Sequence, residues 1–544
     1  MGGLAFVVLG CLSPGLAKEG FVHPGLLHSR EDIARMKAGV AKGEGPIYDG
    51  FEMLAKSPYS KANYRMRGPV EEWGRAPNIN TSQAQEDALG AYQNALMWAI
   101  TGEKPHAAKA IEILNAWAGR LKKVSGIDGV LASGLQGFKF VNAAELIRYT
   151  DAGWTEAEAR RCEASFKNAW LPTIEHYAYF ANGNWETAAL QTKMAIAVFC
   201  NDRELFEETV RYAVNGCGNG SIPHMIVYPT GQCQETTRAQ HYVQLGIGLL
   251  TGAAEVAWQQ GVDLYGWNDN LILKGHEYTA KYGLGEEVPY QHYLDRTGKY
   301  GLGGRNNKYT KISTLSRGNF WPIFERPYQH YAKRRGVAAP YLARVVTQKR
   351  PEGQSRDHIG LGTLAHYRPR IAATKPARTP GVPSGLVART TEEGIRLTWV
   401  KCVDPVNAID TSVYSVFRSE QPGGVAQKIA DRLAKPEYHD TAVERGGLYF
   451  YTVKASNKVG ASPASAELGA NAALPGPWLS CDVGEVQVSG FTEYNGERFT
   501  LEGEGADING TSDSFHFAYA KYSGQGTITA RIVRPMSSQW TKPG

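Results

Sequence analysis

The feature that most constrains the fold is a run of helical periodicity from about residue 22 to residue 345. Stretches such as SQAQEDALGAYQNALMWAITG, HAAKAIEILNAWAGRL, ELFEETVRYAV and HYVQLGIGLLTGAAEVAWQQG carry apolar residues at spacings of three and four, which is typical of amphipathic helices. Turns separate these stretches, and no repeat of the tetratricopeptide kind is present. The pattern predicts an array of helical hairpins that closes or curves around a common core.

The pattern changes after this helical segment. Residues 346–380 are rich in Pro, Arg and Lys with little periodicity, which predicts a linker. Residues 381–470 contain short alternating runs such as GIRLTWV, SVYSVFRS and LYFYTVKASN, separated by Gly, Pro and Asp. This spacing predicts a β-sandwich with Trp399, Tyr414 and Tyr451 in its core.

Both ends of the sequence predict further segments. Residues 1–20, MGGLAFVVLGCLSPGLAKEG, are a short apolar run followed by small residues, which is typical of a signal peptide cleaved near Ala17. We therefore expect a secreted or periplasmic protein. Residues 475–544 are β-like and stop in mid-pattern at SSQWTKPG, so we expect a partial jelly-roll-like module in a truncated sequence. No other apolar run reaches the roughly 18 residues that a membrane span needs.

Composition argues against several classes of function. The formal charge of +6 over 544 residues is a mild basic excess, which weakly favours an acidic partner. The sequence has no block of basic residues interleaved with aromatics, so we do not expect it to bind nucleic acid. The cysteines form no CxxC pair, and His, Asp and Glu show no metal-ligand spacing, so we expect neither a metal nor another cofactor. The oligomeric state is left open.

The stretch YFANGNWETAALQTKMAIAVF introduces a helix with two asparagines, a glycine and a tryptophan. Asn182 or Asn184 could cap this helix by accepting hydrogen bonds from its first amides. Alternatively, the Asn184 amide points into a cleft and donates hydrogen bonds to a ligand, and Trp185 beside it stacks on a sugar ring. The choice depends on what else the chain places near Asn184.

A second group of candidates lies in GQCQETTRAQHYVQLGIGLL, residues 231–250. If this whole stretch is a helix, Arg238 and Tyr242 share one stripe with two leucines, and His241 adjoins it. A charged side chain at the start of an apolar helix face needs either an oppositely charged partner or a water-filled cavity. Arg238 therefore either pairs with Glu235 within the helix or projects, with His241 and Tyr242, into the lumen of the helical array.

The Gly- and Tyr-rich segment EVPYQHYLDRTGKYGLGGRNNKY, residues 287–309, predicts a lid whose Arg296 and Tyr300 reach a substrate. The alternative is a surface connection whose tyrosines pack on the rim of the array. Three weaker candidates for lining the cleft are Gln136, Lys139 and His330. A solvated polar helix face and a packing histidine are the ordinary explanations for these three.

Taken together, several stretches resemble the alginate lyase superfamily over about residues 22–345. They include HPGLLHSREDIARMKAGV, NGNWETAALQTKMAIAVF, GQCQETTRAQHYVQLGIGLLTGAAEVAWQQG and SRGNFWPIFERPYQHYAKRRG. The resemblance implies a mainly α protein, with an (α/α) toroid as catalytic domain followed by β-sandwich accessory modules. Residues 381–470 resemble a fibronectin type III module in the same way.

Two departures from the superfamily pattern concern the proton-transfer residues. Asn184 is followed by Trp185 where Asn-His is common, and Arg238 is followed by Ala239 and Tyr242 where aspartate and histidine are common. These differences suggest a glucuronan- or alginate-type lyase outside the best-known alginate group.

The resemblance implies cleavage of a 4-linked uronic-acid polysaccharide by β-elimination. The C5 proton is weakly acidic because the adjacent carboxylate is negative, so Asn184 and Arg238 would hold this carboxylate and stabilise the developing enediolate. His241, Tyr242 or Tyr300 would act as base and acid, with Tyr300 as the leading candidate for both roles.

Two other classes of function are open. The first is a toroid glycoside hydrolase that uses paired carboxylates on an acidic glycan. The candidate carboxylates are Asp87, Glu145, Glu235 and Asp263. The second is a non-catalytic polysaccharide-binding protein, which accessory β-modules would suit. Only a lyase leaves an unsaturated, ultraviolet-absorbing chain end.

Overall fold

The computed structural model describes residues 20–178, 181–216, 218–291, 311–369, 377–391, 393–408, 412–483, 491–494, 498–502, 515–520, and, further on, 523–524, 527 and 529–531. The predicted signal peptide and the predicted lid residues Arg296 and Tyr300 lie outside these ranges, as does most of the predicted jelly-roll-like module.

The helices of the described ranges lie in the first two thirds of the chain. They are α1 (Arg30–Ala41), α2 (Pro46–Lys56), α3 (Thr81–Thr101), α4 (Lys104–Arg120), α5 (Gly129–Tyr149), α6 (Glu156–Ser165), α7 (Leu171–Ile174), α8 (Gly183–Phe199), α9 (Arg203–Asn215), α10 (Ile222–Met225), α11 (Gln240–Gln259), α12 (Trp267–Gly283), α13 (Glu325–Tyr328), α14 (Pro340–Lys349) and α15 (Gly362–His366).

These helices form two layers. α3, α5, α8 and α11 are buried over most of their length and pack on one another in that order. α4, α6, α9 and α12 lie outside them, and each buries one face only, as expected of amphipathic helices. The arrangement confirms the predicted mainly α fold with an (α/α) toroid.

Glycines allow the inner helices α8 and α11 to pack closely. A Cβ on Gly246 of α11 would lie 3.6 Å from the Cα of Asn184 on α8, and a Cβ on Gly252 would lie 2.5 Å from Oε1 of Gln191. Because later residues of α11 face later residues of α8, the two helices run in the same direction.

The inner helix α5 is parallel to α8 for the same reason. A Cβ on Gly134 would lie 2.4 Å from the carbonyl carbon of Ala188, and a Cβ on Gly137 would lie 2.8 Å from Cγ2 of Thr192. The Thr192 hydroxyl also donates a hydrogen bond to the carbonyl of Gly134. The N-terminal ends of α5, α8 and α11 therefore lie at the same end of the helical domain.

The strands of the described ranges belong mainly to the second part of the chain. They are β1 (Glu72–Gly74), β2 (Lys123–Ser125), β3 (Ile226–Val227), β4 (Gln232–Cys233), β5 (Val387–Thr391), β6 (Gly394–Thr398), β7 (Val413–Ser419), β8 (Gln427–Leu433), β9 (Glu437–Asp440), β10 (Leu448–Ser456), β11 (Leu468–Asn471), β12 (Trp478–Val483), β13 (Phe491–Tyr494), β14 (Phe499–Glu502) and β15 (Phe515–Ala520).

Strands β5 to β11 form a β-sandwich, as the alternating pattern predicts. One sheet has the order β11-β10-β7-β8, and the other has the order β5-β6-β9. Both are antiparallel. Trp399, Tyr414 and Tyr451 are buried in the core between the sheets, which confirms their predicted place.

The segment after residue 345 differs from the predicted linker. α14 extends to Lys349, and α15 lies within this segment. The guanidinium of Arg350 pairs with buried Glu325 at 2.5 Å, and that of Arg368 pairs with buried Asp32 at 3.0 Å. The basic residues that suggested a solvated linker neutralise buried carboxylates, so residues 346–369 are part of the helical domain.

The β-sandwich rests on the helical domain. Trp258 donates a hydrogen bond from its indole nitrogen to the carbonyl of Pro405 at 3.1 Å, and the Ser384 hydroxyl donates to Glu207 at 2.7 Å. Val403 is buried in the same apolar core as the helices. Among the described helices, none is long and apolar enough to cross a membrane.

We expect truncation at residue 345 to unfold the protein. It removes Arg350 and Arg368 and leaves Glu325 and Asp32 buried without these partners, and breaking a buried ion pair costs about 3–5 kcal/mol. The truncated protein should show no cooperative thermal transition by circular dichroism, whereas a protein that ends at residue 474 should keep it. A sharp transition near the full-length melting temperature for the shorter protein would contradict this expectation.

Candidate active site

The N-terminal ends of α8 and α11 meet beside one buried carboxylate, that of Glu235. Asn184, the second residue of α8, donates from Nδ2 to Glu235 Oε1 at 2.8 Å and to Oε2 at 2.6 Å. Arg238 donates to Oε1 of the same carboxylate. Burial raises the pKa of Glu235 to about 7, although the Arg238 charge and the Asn184 hydrogen bonds favour the ionised form.

Neither asparagine side chain caps α8. Asn182 is the N-cap residue by backbone position, but its side chain makes no capping hydrogen bond. The amide of Gly183 donates to Oε1 of Gln234 at 3.1 Å. The Asn184 side chain faces Glu235, and its Oδ1 is buried without a hydrogen-bond partner. Asn184 thus points inward, toward a carboxylate of the protein itself.

The helix expected over residues 231–250 is shorter in the structure, because α11 begins only at Gln240. The residues before it form β4, which pairs with β3, and then turns, so Arg238 lies in a loop and not on a helical stripe. The guanidinium of Arg238 still lies 4.0 Å from the ring centre of Tyr242. Arg238 therefore pairs with Glu235 and also contacts Tyr242, and its projection into the lumen of the helical array stays a prediction.

His241 adjoins Tyr242, with 4.2 Å between the ring centres. Its Nδ1 lies 3.1 Å from the Ser316 hydroxyl, and its ring lies 6.0 Å from that of Trp321. Partial burial and the charge of Arg238 lower the pKa of His241 below its usual 6.5. The imidazole is therefore neutral at pH 7 and able to accept a proton.

An apolar cluster lies beside His241. It consists of buried side chains from three inner helices and two partly buried tryptophans, namely Leu131, Leu135, Ala188, Leu245, Leu249, Trp185 and Trp321. Because the aliphatic members are buried, the two tryptophans are the part of this cluster that is open to contact with a ligand. Trp185 is one of these tryptophans, and its stacking on a sugar ring stays a prediction. Trp321 was missed because GNFWPIF has no spacing that distinguishes it.

The site also has a favourable field for an anion. The N-terminal ends of the parallel helices α5, α8 and α11 carry partial positive charge, and they lie at the same end of the domain as Arg238.

Glu235 is the residue whose central place the sequence did not predict, because its contact with Asn184 joins residues 51 positions apart.

Three predicted binding residues lie elsewhere. Lys139 is buried one turn below Leu135, and its ammonium donates to the carbonyls of Leu135 and Arg356 and to the Gln136 side chain. Burial lowers the pKa of Lys139 to about 8. The cavity beside Lys139 measures about 20 Å³, which suits a water molecule and is too small for a sugar ring. Gln136 and Lys139 are thus bound to other groups of the protein, at a cavity that cannot hold a sugar ring.

His330 is buried in the core. Its ring stacks on Tyr265 with 3.7 Å between ring centres, and its Nδ1 accepts a hydrogen bond from Arg334 at 2.9 Å. Burial holds the pKa of His330 well below its usual value. His330 is a packing histidine, and the expectation that it binds substrate is corrected.

The carboxylates considered for a hydrolase lie in separate networks. Asp87 accepts four hydrogen bonds from surrounding backbone and side chains. Glu145 is bound by His23 at 2.8 Å, and Asp263 accepts from the backbone amide three residues further on. Of the four, Glu235 is the one that pairs with Arg238, which in turn contacts Tyr242. The described residues also contain no group of three His, Cys, Asp or Glu placed to hold a metal.

The helical domain is that of a polysaccharide lyase. The family model described as alginate lyase matches residues 53–288, which include the inner helices, Asn184, Glu235 and Arg238. The match lies within the helical domain. Comparison with curated proteins finds no match.

Solved structures with similar chains include two of alginate lyase A1-III. A variant complexed with a tetrasaccharide is 15% identical with a TM-score of 0.49, and the match covers 65% of this chain and 98% of that one. The enzyme from Sphingomonas species A1 is 15% identical with a TM-score of 0.47, over 65% and 99% of the two chains. A Fn3-like protein from Clostridium thermocellum is 31% identical over 17% and 92% of the chains, with a TM-score of 0.15.

We expect Glu235→Gln to change how stability depends on pH. The pKa of Glu235 is raised from 4.5 in the unfolded chain to about 7 in the folded protein, so the folded state binds the proton more tightly. The stability of wild type relative to Glu235→Gln should therefore fall by up to about 3 kcal/mol as the pH rises from 4.5 to 7.

Thermal unfolding of both proteins at a series of pH values measures this difference. Comparing the two proteins at each pH cancels the other groups that titrate in both. A difference that stays constant across the range would show that Glu235 ionises as freely in the folded protein as in the unfolded chain.

Proposed function

We propose that this lyase cleaves a 4-linked uronic-acid polysaccharide, alginate or glucuronan, by β-elimination and leaves an unsaturated uronide at the new chain end. The observation that carries the proposal is the place of Arg238, between the buried carboxylate of Glu235 and the ring of Tyr242. The predicted signal peptide supports a secreted or periplasmic location, where such polysaccharides occur.

Arg238 would bind the carboxylate of the uronate at the cleavage point. Neutralising this carboxylate makes the C5 proton more acidic, and a fixed cation stabilises the enediolate that forms when the proton leaves. The partial positive charge at the ends of α5, α8 and α11 acts in the same direction. Trp185 and Trp321 would contact the apolar faces of the sugar rings.

Asn184 and Glu235 would act as positioning residues for Arg238. The Asn184 amide donates to Glu235, so it reaches the substrate only through this carboxylate. With a pKa of about 7, Glu235 is partly protonated near neutral pH. A substrate carboxylate near Arg238 adds a negative charge, which favours protonation of Glu235 and leaves the guanidinium available to the substrate.

His241 would be the base that takes the C5 proton, because its imidazole is neutral at pH 7 and adjoins Tyr242 and Arg238. The Tyr242 hydroxyl would give a proton to the departing glycosidic oxygen, so that the leaving group departs as an alcohol. Tyr300 remains the alternative for both proton transfers, with Arg296 beside it in sequence; both lie outside the described residues.

The experiment that tests the function is a screen of the purified protein on alginate, glucuronan and hyaluronan for ultraviolet-absorbing product. Absorbance that grows with time on alginate or glucuronan supports the proposal and identifies the substrate. New reducing ends without absorbance would favour the hydrolase, and binding without new ends would favour a polysaccharide-binding protein.

We expect His241→Gln to lower kcat by roughly two to four orders of magnitude, as for loss of a general base. Since the pKa of His241 is lowered, the acid limb of the wild-type kcat/KM profile should lie below pH 6.5. His439→Gln, which changes a histidine of the β-sandwich bound to Thr391, is the matched control and should leave kcat unchanged. If His241→Gln keeps its turnover and Tyr300→Phe loses it, the base is Tyr300.

We expect Asn184→Ala to lower both stability and turnover. Loss of hydrogen bonds to a buried carboxylate costs about 1–3 kcal/mol. Because the Asn184 hydrogen bonds lower the pKa of Glu235, that pKa should rise further in the variant and shift the pH dependence of KM upward. Asn182→Ala, whose side chain makes no capping bond, is the control. A lower melting temperature with an unchanged kcat and KM profile would mean that Asn184 has only a structural role.

A further inference from the structure

A second cavity lies between the helical domain and the β-sandwich. Its volume is about 320 Å³, and its walls come from α1, the last residue of α11, the segment after α15, and residues 405–407 of the β-sandwich side. Tyr242 and Gln259 stand near opposite ends of α11, which places them roughly 25 Å apart. The cavity is therefore separate from the candidate active site.

Arginines dominate the charge of this cavity. Among the described residues that line it, the cations are Arg35, Arg334, Arg368 and Arg378. The carboxylates in the lining are Glu31 and Asp32, and Glu255 lies behind Arg334 at 3.1 Å. The guanidinium groups keep their charge at any physiological pH. Each is paired with a carboxylate: Arg35 and Arg368 with Asp32, Arg334 with Glu255, and Arg378 with Glu31, so four positive charges meet three negative ones.

Two of the cavity's arginines are deeply buried. The side chains of Arg334 and Arg368 are more than nine-tenths buried. Arg334 uses its terminal nitrogens on Glu255 and His330, whereas its Nε is buried without a partner. The Nε of Arg35 is likewise buried without a partner. Neither Nε has accessible surface, so other atoms of the two guanidinium groups face the cavity.

The surroundings of Arg368 disfavour its positive charge. Burial and the adjacent charges of Arg334 and Arg35 lower the pKa of Arg368 to about 9, despite the opposing effect of Asp32. The nearby histidines supply no negative charge. An anion among these guanidinium groups would relieve their mutual repulsion and accept charge-assisted hydrogen bonds from the nitrogens that face the cavity.

We propose that this cavity binds a small oxyanion, up to the size of a monosaccharide acid. Its volume falls at the lower end of the range of small-molecule sites. Arginine clusters bind carboxylates and phosphates through paired N–H donors. Arg378 and residues 405–407 come from the β-sandwich side, so the bound anion contacts both domains and links them.

Isothermal titration calorimetry on the full chain tests this site with two probes, sodium glucuronate and sodium phosphate, at ionic strength held constant with chloride. We expect saturable binding of one equivalent of at least one probe. Arg368→Gln and Arg378→Gln should each weaken it about tenfold or more, as for loss of a charge-assisted hydrogen bond. Saturation by glucuronate alone identifies a sugar acid, and saturation by phosphate alone identifies an inorganic oxyanion.

Arg344→Gln is the matched control, because Arg344 is an exposed arginine of α14 that pairs with Glu286 outside the cavity. It should bind the probe as wild type does. Arg378 is the more exposed of the two cavity positions, so Arg378→Gln carries the test if Arg368→Gln fails to fold. The absence of saturable heat with both probes, or equal affinities in all four proteins, would overturn the proposal. The measurement uses no polysaccharide and is independent of the lyase reaction.

Discussion

The close packing of the parallel inner helices is the constraint on which the site depends. Gly134 and Gly252 let α5 and α11 approach α8 closely, because a Cβ at either position would lie within 2.5 Å of an atom of α8. This contact aligns the N-terminal ends of the three helices, and it brings residues 184, 235 and 242 to one place. The charge and shape of the candidate site therefore follow from the way the core is packed.

Within this frame, one buried carboxylate organises the polar part of the site. Glu235 is held by an amide from α8 and by a guanidinium from the loop before α11. The same pair of groups was expected to hold a substrate carboxylate. A carboxyl group with a pKa near 7 can change its charge at little cost near neutral pH, which is the property that the proposed mechanism uses.

Buried ion pairs also explain why the helical domain continues past the predicted linker. Residues such as Arg350 and Arg368 look like solvent-exposed charges in the sequence, because Pro, Arg and Lys are common in linkers. Each of them compensates a buried acid that lies far away in the chain. The alternating pattern of the β-sandwich and its aromatic core could be predicted, because strand alternation is a local property.

The sequence by itself determined the elements: the helical periodicity, the alternating strands, and the stretches around Asn184 and Arg238 that mark the family. These signals are local, since they depend on spacings of two to four residues along the chain. Only the tertiary structure decided that Asn184 faces Glu235, that Arg238 lies in a loop over Tyr242, and that His330 and Lys139 are buried. Each of these facts depends on contacts between segments far apart in sequence. Local sequence patterns do not predict which distant group a polar side chain will contact.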